Sequence, residues 1–128
     1  MRLFIADDSR IVRERLIEML ADLEGLEIIG QAQDSLEAIE SIQRLKPHVV
    51  VLDIRMPKGN GIKVLETIKK YEQSPKVIIF TNYPYPQYRK RCMEAGADFF
   101  FDKSTEFEKL IDTVKLLIRK SSHTKQTK

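Results

Sequence analysis

A doubly wound α/β fold is what this sequence predicts, and three observations carry the prediction. Apolar runs of strand length recur along the chain, amphipathic stretches at helical spacing lie between them, and Gly or Pro marks the junctions without any internal repeat or linker. Apolar strands alternating with amphipathic helices call for a parallel sheet covered by helices on both faces. Right-handed crossovers leave few topologies. For five strands the commonest is the flavodoxin-like (βα)5 arrangement, with strand order 2-1-3-4-5.

Each element has its own signal. The first strand spans residues 3–6 and closes at Asp7-Asp8. Ser9 suits the cap of a first helix whose apolar positions Val12, Leu16, Met19, Leu20 and Leu23 recur at helical spacing, with Gly25 as its stop. Residues 26–32 form a second strand around Ile28 and Ile29. Asp34 or Ser35 caps a second helix carrying Leu36, Ile39, Ile42 and Leu45, and Pro47 breaks it. The third strand, 48–52, contains Val49, Val50, Val51 and Leu52, a run that reads as buried on both faces; it stops at Asp53. Pro57, Gly59 and Gly61 follow, so the chain turns and a third helix begins near Asn60, marked by Ile62, Leu65 and Ile68. After Pro75 comes a fourth strand, 77–80, ending at Thr81. Pro84 and Pro86 exclude regular structure from the next loop, and Pro86 suits the first turn of a fourth helix with Tyr88, Cys92 and Ala95 inward and Gly96 as its stop. The fifth strand is Phe99, Phe100 and Phe101, followed by Asp102-Lys103. Thr105 and Glu108 have capping-box spacing, and the last helix places Phe107, Leu110, Ile111, Val114, Leu117 and Ile118 on one face.

Composition narrows the class. The chain has 128 residues, 42% hydrophobic and 32% charged, which suits one domain with a core and a solvated surface. The domain is expected over residues 1–120, with a disordered basic tail over 121–128. Arg119, Lys120, Lys125 and Lys128 have no acid beside them and supply much of the net charge of +3, so the excess reads as a solvated end and not a nucleic-acid arm. The lone Cys92 sits at a core-facing position and excludes an internal disulfide, consistent with a reducing compartment. The apolar start of the chain is only strand-length and meets Asp7, so it does not read as a signal peptide, and no run reaches the ~18 residues a bilayer span needs. A cytoplasmic protein with no membrane partner is expected.

In a doubly wound sheet the carboxyl ends of the strands share one edge, where ligands bind. The strand ends bring Asp7, Asp8, Asp53, Thr81 and Lys103 to that edge. Two unit charges ~4 Å apart repel by roughly 4 kcal/mol at an effective dielectric of about 20, so three converging carboxylates need relief. A divalent cation supplies it, and ligands that are all oxygen, without His or Cys, select a hard ion such as Mg²⁺. A point charge on Lys103 and a hydroxyl on Thr81 suit the oxygens of a phosphoryl group, and an Asp beside a metal can attack phosphorus to form an aspartyl phosphate. Taken singly, Asp7-Asp8 also reads as a helix cap, Thr81 as a strand-end residue and Lys103 as a solvated lysine; it is their joint placement at the right strand ends that favours the site.

With those five positions, the run Asp53-x-x-Met56-Pro57 followed by Gly61 resembles the receiver domain of two-component response regulators over about residues 1–120. The resemblance implies that Asp53 takes a phosphoryl group from a phosphohistidine on a sensor histidine kinase or phosphotransfer protein. It also implies that Asp8 binds Mg²⁺, that Asp7 helps through water, and that the backbone carbonyl of Arg55 completes the ligands. Thr81 and Lys103 match the family's switch hydroxyl and phosphate-binding lysine, and Phe100 its rotating aromatic. Two positions depart from the commonest pattern. Ser104 stands where the family often has a cis proline, which removes the reason for a cis bond there; Lys-Ser occurs in receivers often joined to helix-turn-helix output domains. Phe100 is not Tyr, and without a hydroxyl it is expected to stay inward.

Arg55 and Tyr83 each lie two residues beyond a site residue, and their bulk is expected to shield an acyl phosphate from water and lengthen its lifetime. The expected output is a switch of the surface made by the fourth helix, fifth strand and fifth helix, with Tyr88, Arg89, Lys90, Arg91, Asp102 and Glu106, which contacts a partner or a second copy. Enzyme turnover is not expected beyond slow self-phosphorylation and self-dephosphorylation. Two other readings remain: the receiver portion of a helix-turn-helix regulator, and a Mg²⁺-dependent phosphatase with Asp53 as nucleophile. The second needs an acid two residues after Asp53, where Arg55 stands.

Overall fold

The computed structural model describes residues 1–126, and side chains as far as Ser121. Its elements follow in the order β1 (Arg2–Ala6), α1 (Arg10–Leu20), β2 (Glu27–Ala32), α2 (Ser35–Leu45), β3 (Val49–Leu52), α3 (Gly61–Ile68), β4 (Lys76–Thr81), α4 (Pro86–Glu94), β5 (Phe99–Asp102) and α5 (Phe107–Gln126). All pairings are parallel, in the order β2-β1-β3-β4-β5 that the sequence predicts.

Strand alternation sorts side chains onto two cores. Phe4 and Ala6, Val50 and Leu52, Val77 and Ile79, and Phe100 point to the face covered by α2, α3 and α4. Leu3 and Ile5, Val49 and Val51, and Ile78 and Phe80 point to the face covered by α1 and α5. Both faces of β3 are buried, as its unbroken apolar run requires.

Caps fix the helix phases. Ser9 accepts from the Val12 N–H at 3.3 Å, Asp34 from the Glu37 N–H at 2.8 Å and Asn60 from the Lys63 N–H at 3.0 Å. With Asp34 as the cap of α2, Ser35, Ala38 and Ile42 face inward. Leu36, expected on that face, is rotated about 100° from Ser35 and is 55% exposed. α1 ends at Leu20 with its cap at Ala21, so Leu23 packs from the following turn instead of from the helix.

The Thr105–Glu108 capping box does not open α5. The Asp102 carboxylate accepts the Ser104 N–H and hydroxyl at 2.8 and 2.7 Å, while Glu106 accepts the Asp102 N–H at 2.9 Å. That turn occupies residues 103–105 and delays the helix to Phe107. At its other end α5 runs through the expected tail to Gln126, because Ser121 to Gln126 contains no Gly or Pro to stop it. Residues 127–128 of the expected tail lie outside the described residues.

Candidate functional site

The sheet's hydrogen-bond ladder continues one residue past several strand ends and so holds the rim residues in place. Asp7 donates its N–H to the Ala32 carbonyl at 3.0 Å, Asp53 to Ala6 at 2.9 Å and Lys103 to Thr81 at 2.9 Å. Three chemistry-bearing residues thus have backbones fixed by neighbouring strands. The turn after Asp53 closes through Gly61, whose N–H reaches the Ile54 carbonyl at 2.6 Å. A Cβ at Gly61 would lie 1.8 Å from the Asp53 carbonyl oxygen, so the chain folds back on Asp53 only because no side chain stands there.

Side chains converge as the strand ends foretell. Asp7, Asp8 and Asp53 each bring a carboxylate oxygen within 4.8 Å of the others. Lys103 bridges two of them, with Nζ 2.6 Å from Asp7 Oδ2 and 2.9 Å from Asp53 Oδ2. Asp7 and Asp53 are buried; Asp8 is exposed at the mouth. The remaining oxygens of the buried pair are also engaged: Asp7 Oδ1 accepts the Ser9 N–H and Asp53 Oδ1 the Ile54 N–H, both at 2.8 Å.

Burial raises the pKa of Asp7 and of Asp53, and Lys103 only partly offsets it. For Lys103 burial acts downward, but Asp53 and Asp7 together outweigh it and hold the ammonium above its ordinary range. The lysine therefore stays charged. Three carboxylates and one ammonium leave an unmatched negative charge in a site whose buried part, Asp7, Asp53 and Lys103, opens to water at Asp8, and every carboxylate donor is oxygen. That set fits a hard divalent cation.

Thr81 is fully buried and its Oγ1 accepts the Tyr83 N–H at 3.0 Å, which sets the hydroxyl at the rim beside Asp53's strand. Arg55 is exposed, with its guanidinium 4.2 Å from the centre of the Tyr83 ring. A hydrogen bond with Tyr88 is the main cause of an Arg55 pKa above its usual value. Phe100 is 5% exposed and inward, with Arg89 5.5 Å over its ring. Every peptide bond among the described residues is trans, including that before Ser104.

Sequence reading left two contacts of the site unread. Arg13 Nη1 donates to the Asp7 carbonyl at 2.7 Å while its Nε holds Gln31 at 2.8 Å, tying α1 and β2 to the acidic corner. Tyr88 acts on Arg55 from the fourth helix, raising its pKa. Neither has a local signal, because both act across the fold.

The model of the response regulator receiver domain family matches residues 3–115. An uncharacterized response regulatory protein of Vibrio cholerae is 39% identical over 115 residues, covering 90% of this chain and 47% of that protein. The uncharacterized transcriptional regulatory protein YvfU of Bacillus subtilis is 36% identical, covering 92% of this chain and 59% of its own length. The chain thus spans about half the length of these relatives. Among solved structures, a DNA-binding response regulator of the LuxR family from Staphylococcus aureus superposes with a TM-score of 0.84 at 30% identity, covering 91% of this chain and 98% of that one.

Proposed function

The chain belongs to the response regulator receiver domain family, and on that premise we propose that it is a phosphorylation switch with Asp53 as phosphoacceptor. The observation that carries the reading is the buried Asp7–Lys103–Asp53 triad beside Asp8.

The chemistry is an in-line transfer. A carboxylate oxygen of Asp53 forms a bond to phosphorus as the bond to the donor's imidazole nitrogen breaks, and the electron pair of that bond leaves with the nitrogen. The Ile54 N–H bonded to Asp53 Oδ1 and the closed Gly61 turn support this role by fixing the carboxylate. The ammonium of Lys103 takes up charge on a phosphoryl oxygen, and the Thr81 hydroxyl donates to another once it turns from the Tyr83 N–H. Asp8, Asp7, Asp53 and the Arg55 carbonyl would hold Mg²⁺, which when bound neutralises charge on the phosphoryl oxygens. The bulk of Arg55 and Tyr83, stacked 4.2 Å apart, supports a role for both in hindering water from reaching an acyl phosphate.

A doubly charged group on Asp53 then biases the surface of α4, β5 and α5, through which the chain engages a partner or a second copy. The kinase or phosphotransfer donor docks at the open rim. The relatives' designations as transcriptional and DNA-binding regulators favour a second reading, in which this receiver governs a DNA-binding segment and itself touches only protein. A phosphatase reading is not favoured, since Arg55 occupies the position where an acid would protonate a leaving group.

Incubation with Mg²⁺ and acetyl phosphate tests the proposal by intact mass. Wild type gains a phosphoryl adduct and Asp53→Asn does not; equal labelling of both would refute it. Arg55→Ala and Tyr83→Ala should each shorten the adduct's lifetime several-fold in a dephosphorylation time course.

A further inference from the structure

The fourth helix presents two different cationic sides. Tyr88 and Arg91 are three residues apart and share one side, whereas Arg89 is rotated away and lies over Phe100 of β5. The sequence groups Arg91 with the surface toward β5; in the fold Arg91 and Tyr88 instead line a groove of about 340 Å³ between α4 and the loop joining β3 to α3.

The groove has an apolar floor of Ile54, Met56 and Ile62, each under 7% exposed. Exposed Arg55 and Arg91 and half-buried Tyr88 line its rim. No carboxylate lines it, and neither arginine takes part in an ion pair among the described residues. Arg55 lies against the uncharged Tyr83 ring, with no acid paired to it among the described residues, so its guanidinium retains donors for an anion.

We propose that this groove is a docking site for an acidic polypeptide segment in which a carboxylate neighbours an aliphatic side chain. Charge complementarity names the occupant. The guanidinium groups of the two rim arginines recognise carboxylates through fork-shaped donors, and the apolar floor accepts the adjoining aliphatic group. A free inorganic anion would use the rim and leave the floor empty. The site goes beyond the phosphoacceptor reading and does not depend on Asp53 chemistry.

The test is fluorescence anisotropy with a fluorescein-labelled peptide of alternating glutamate and leucine, alongside a matched glutamine-leucine peptide, without Mg²⁺ or phosphodonor. Saturable binding of the acidic peptide is expected in the range of about 10–100 µM. At least a tenfold loss is expected in Arg91→Glu and at least a tenfold weaker binding of the glutamine peptide. Arg91→Glu should still label at Asp53, and Asp53→Asn should bind peptide like wild type, so that failure of either reading is seen separately. No saturation by about 1 mM, equal binding of the two peptides, or unchanged binding in Arg91→Glu would overturn the proposal. Equal binding of a polyglutamate peptide without leucine would show that the rim takes anions alone and the apolar floor is not used, and would also overturn it.

Discussion

Two three-centre ion clusters sit at opposite edges of the same sheet. At the carboxyl edge one lysine, Lys103, lies between Asp7 and Asp53 at 2.6 and 2.9 Å, with all three side chains no more than 6% exposed. At the amino edge one acid, Asp98, lies between Lys69 and Lys76 at 2.8 and 3.7 Å, with side chains 18–60% exposed. Asp98 also accepts the Val77 N–H at 2.8 Å, and Lys69 donates to the Pro75 carbonyl at 2.9 Å. The amino-edge cluster has hydrogen bonds for its groups and water around them. The carboxyl-edge cluster is buried and carries more acid than base. Similar ion types thus make a solvated clamp at one end of the strands and a buried, acid-rich cluster at the other, and burial and stoichiometry separate the two.

The sharpest way to break this comparison is at Gly61. A methyl group there meets the Asp53 carbonyl, so Gly61→Ala should destabilise the protein by more than about 3 kcal/mol and remove phosphoryl labelling, as read by urea melts and intact mass. Asp98→Ala should cost about 1–3 kcal/mol, because the Val77 N–H loses its acceptor and Lys69 its partner, and leave labelling at Asp53 unchanged. If Asp98→Ala also abolished labelling, the two edges would be coupled and not separate.

Cation binding gives the finest discrimination. Mg²⁺ at about 100 times its Kd should stabilise wild type by about 2.7 kcal/mol, and Asp53→Asn markedly less. The pH dependence has a definite sign. Asp7 and Asp53 must be ionised to bind a cation, and burial raises both above the ordinary carboxylate value of 3.8. Protons therefore compete with Mg²⁺ at higher pH than for exposed carboxylates, and the stabilisation should fade as pH drops toward the raised values. Calorimetric scans with and without Mg²⁺ across that range measure it.

Most of the site was legible in the sequence because strand ends are local features. An apolar run that stops at an acid names Asp7 and Asp53, and the 2-1-3-4-5 order then collects them with Thr81 and Lys103. The Phe100 orientation was legible for the same reason: alternation along β5 sends it to the α4 face, and a ring without a hydroxyl has no polar reason to leave. Element ends were less so. The hydrogen bonds of Asp102, Ser104 and Glu106 compete with a Thr105 cap, and nothing in the local pattern ranks them.

By itself the sequence determined the fold class, the strand order and the set of residues at the carboxyl edge, since hydrophobic periodicity and strand termini are written in neighbouring residues. Only the tertiary structure decided which carboxylates Lys103 bridges, why position 61 admits no side chain, which way Leu36 faces, and that Arg91 opens toward the loop after β3 while Arg89 lies against β5. These depend on helix phase and on distances between residues far apart in the chain, quantities that are set only when the packed layers come together.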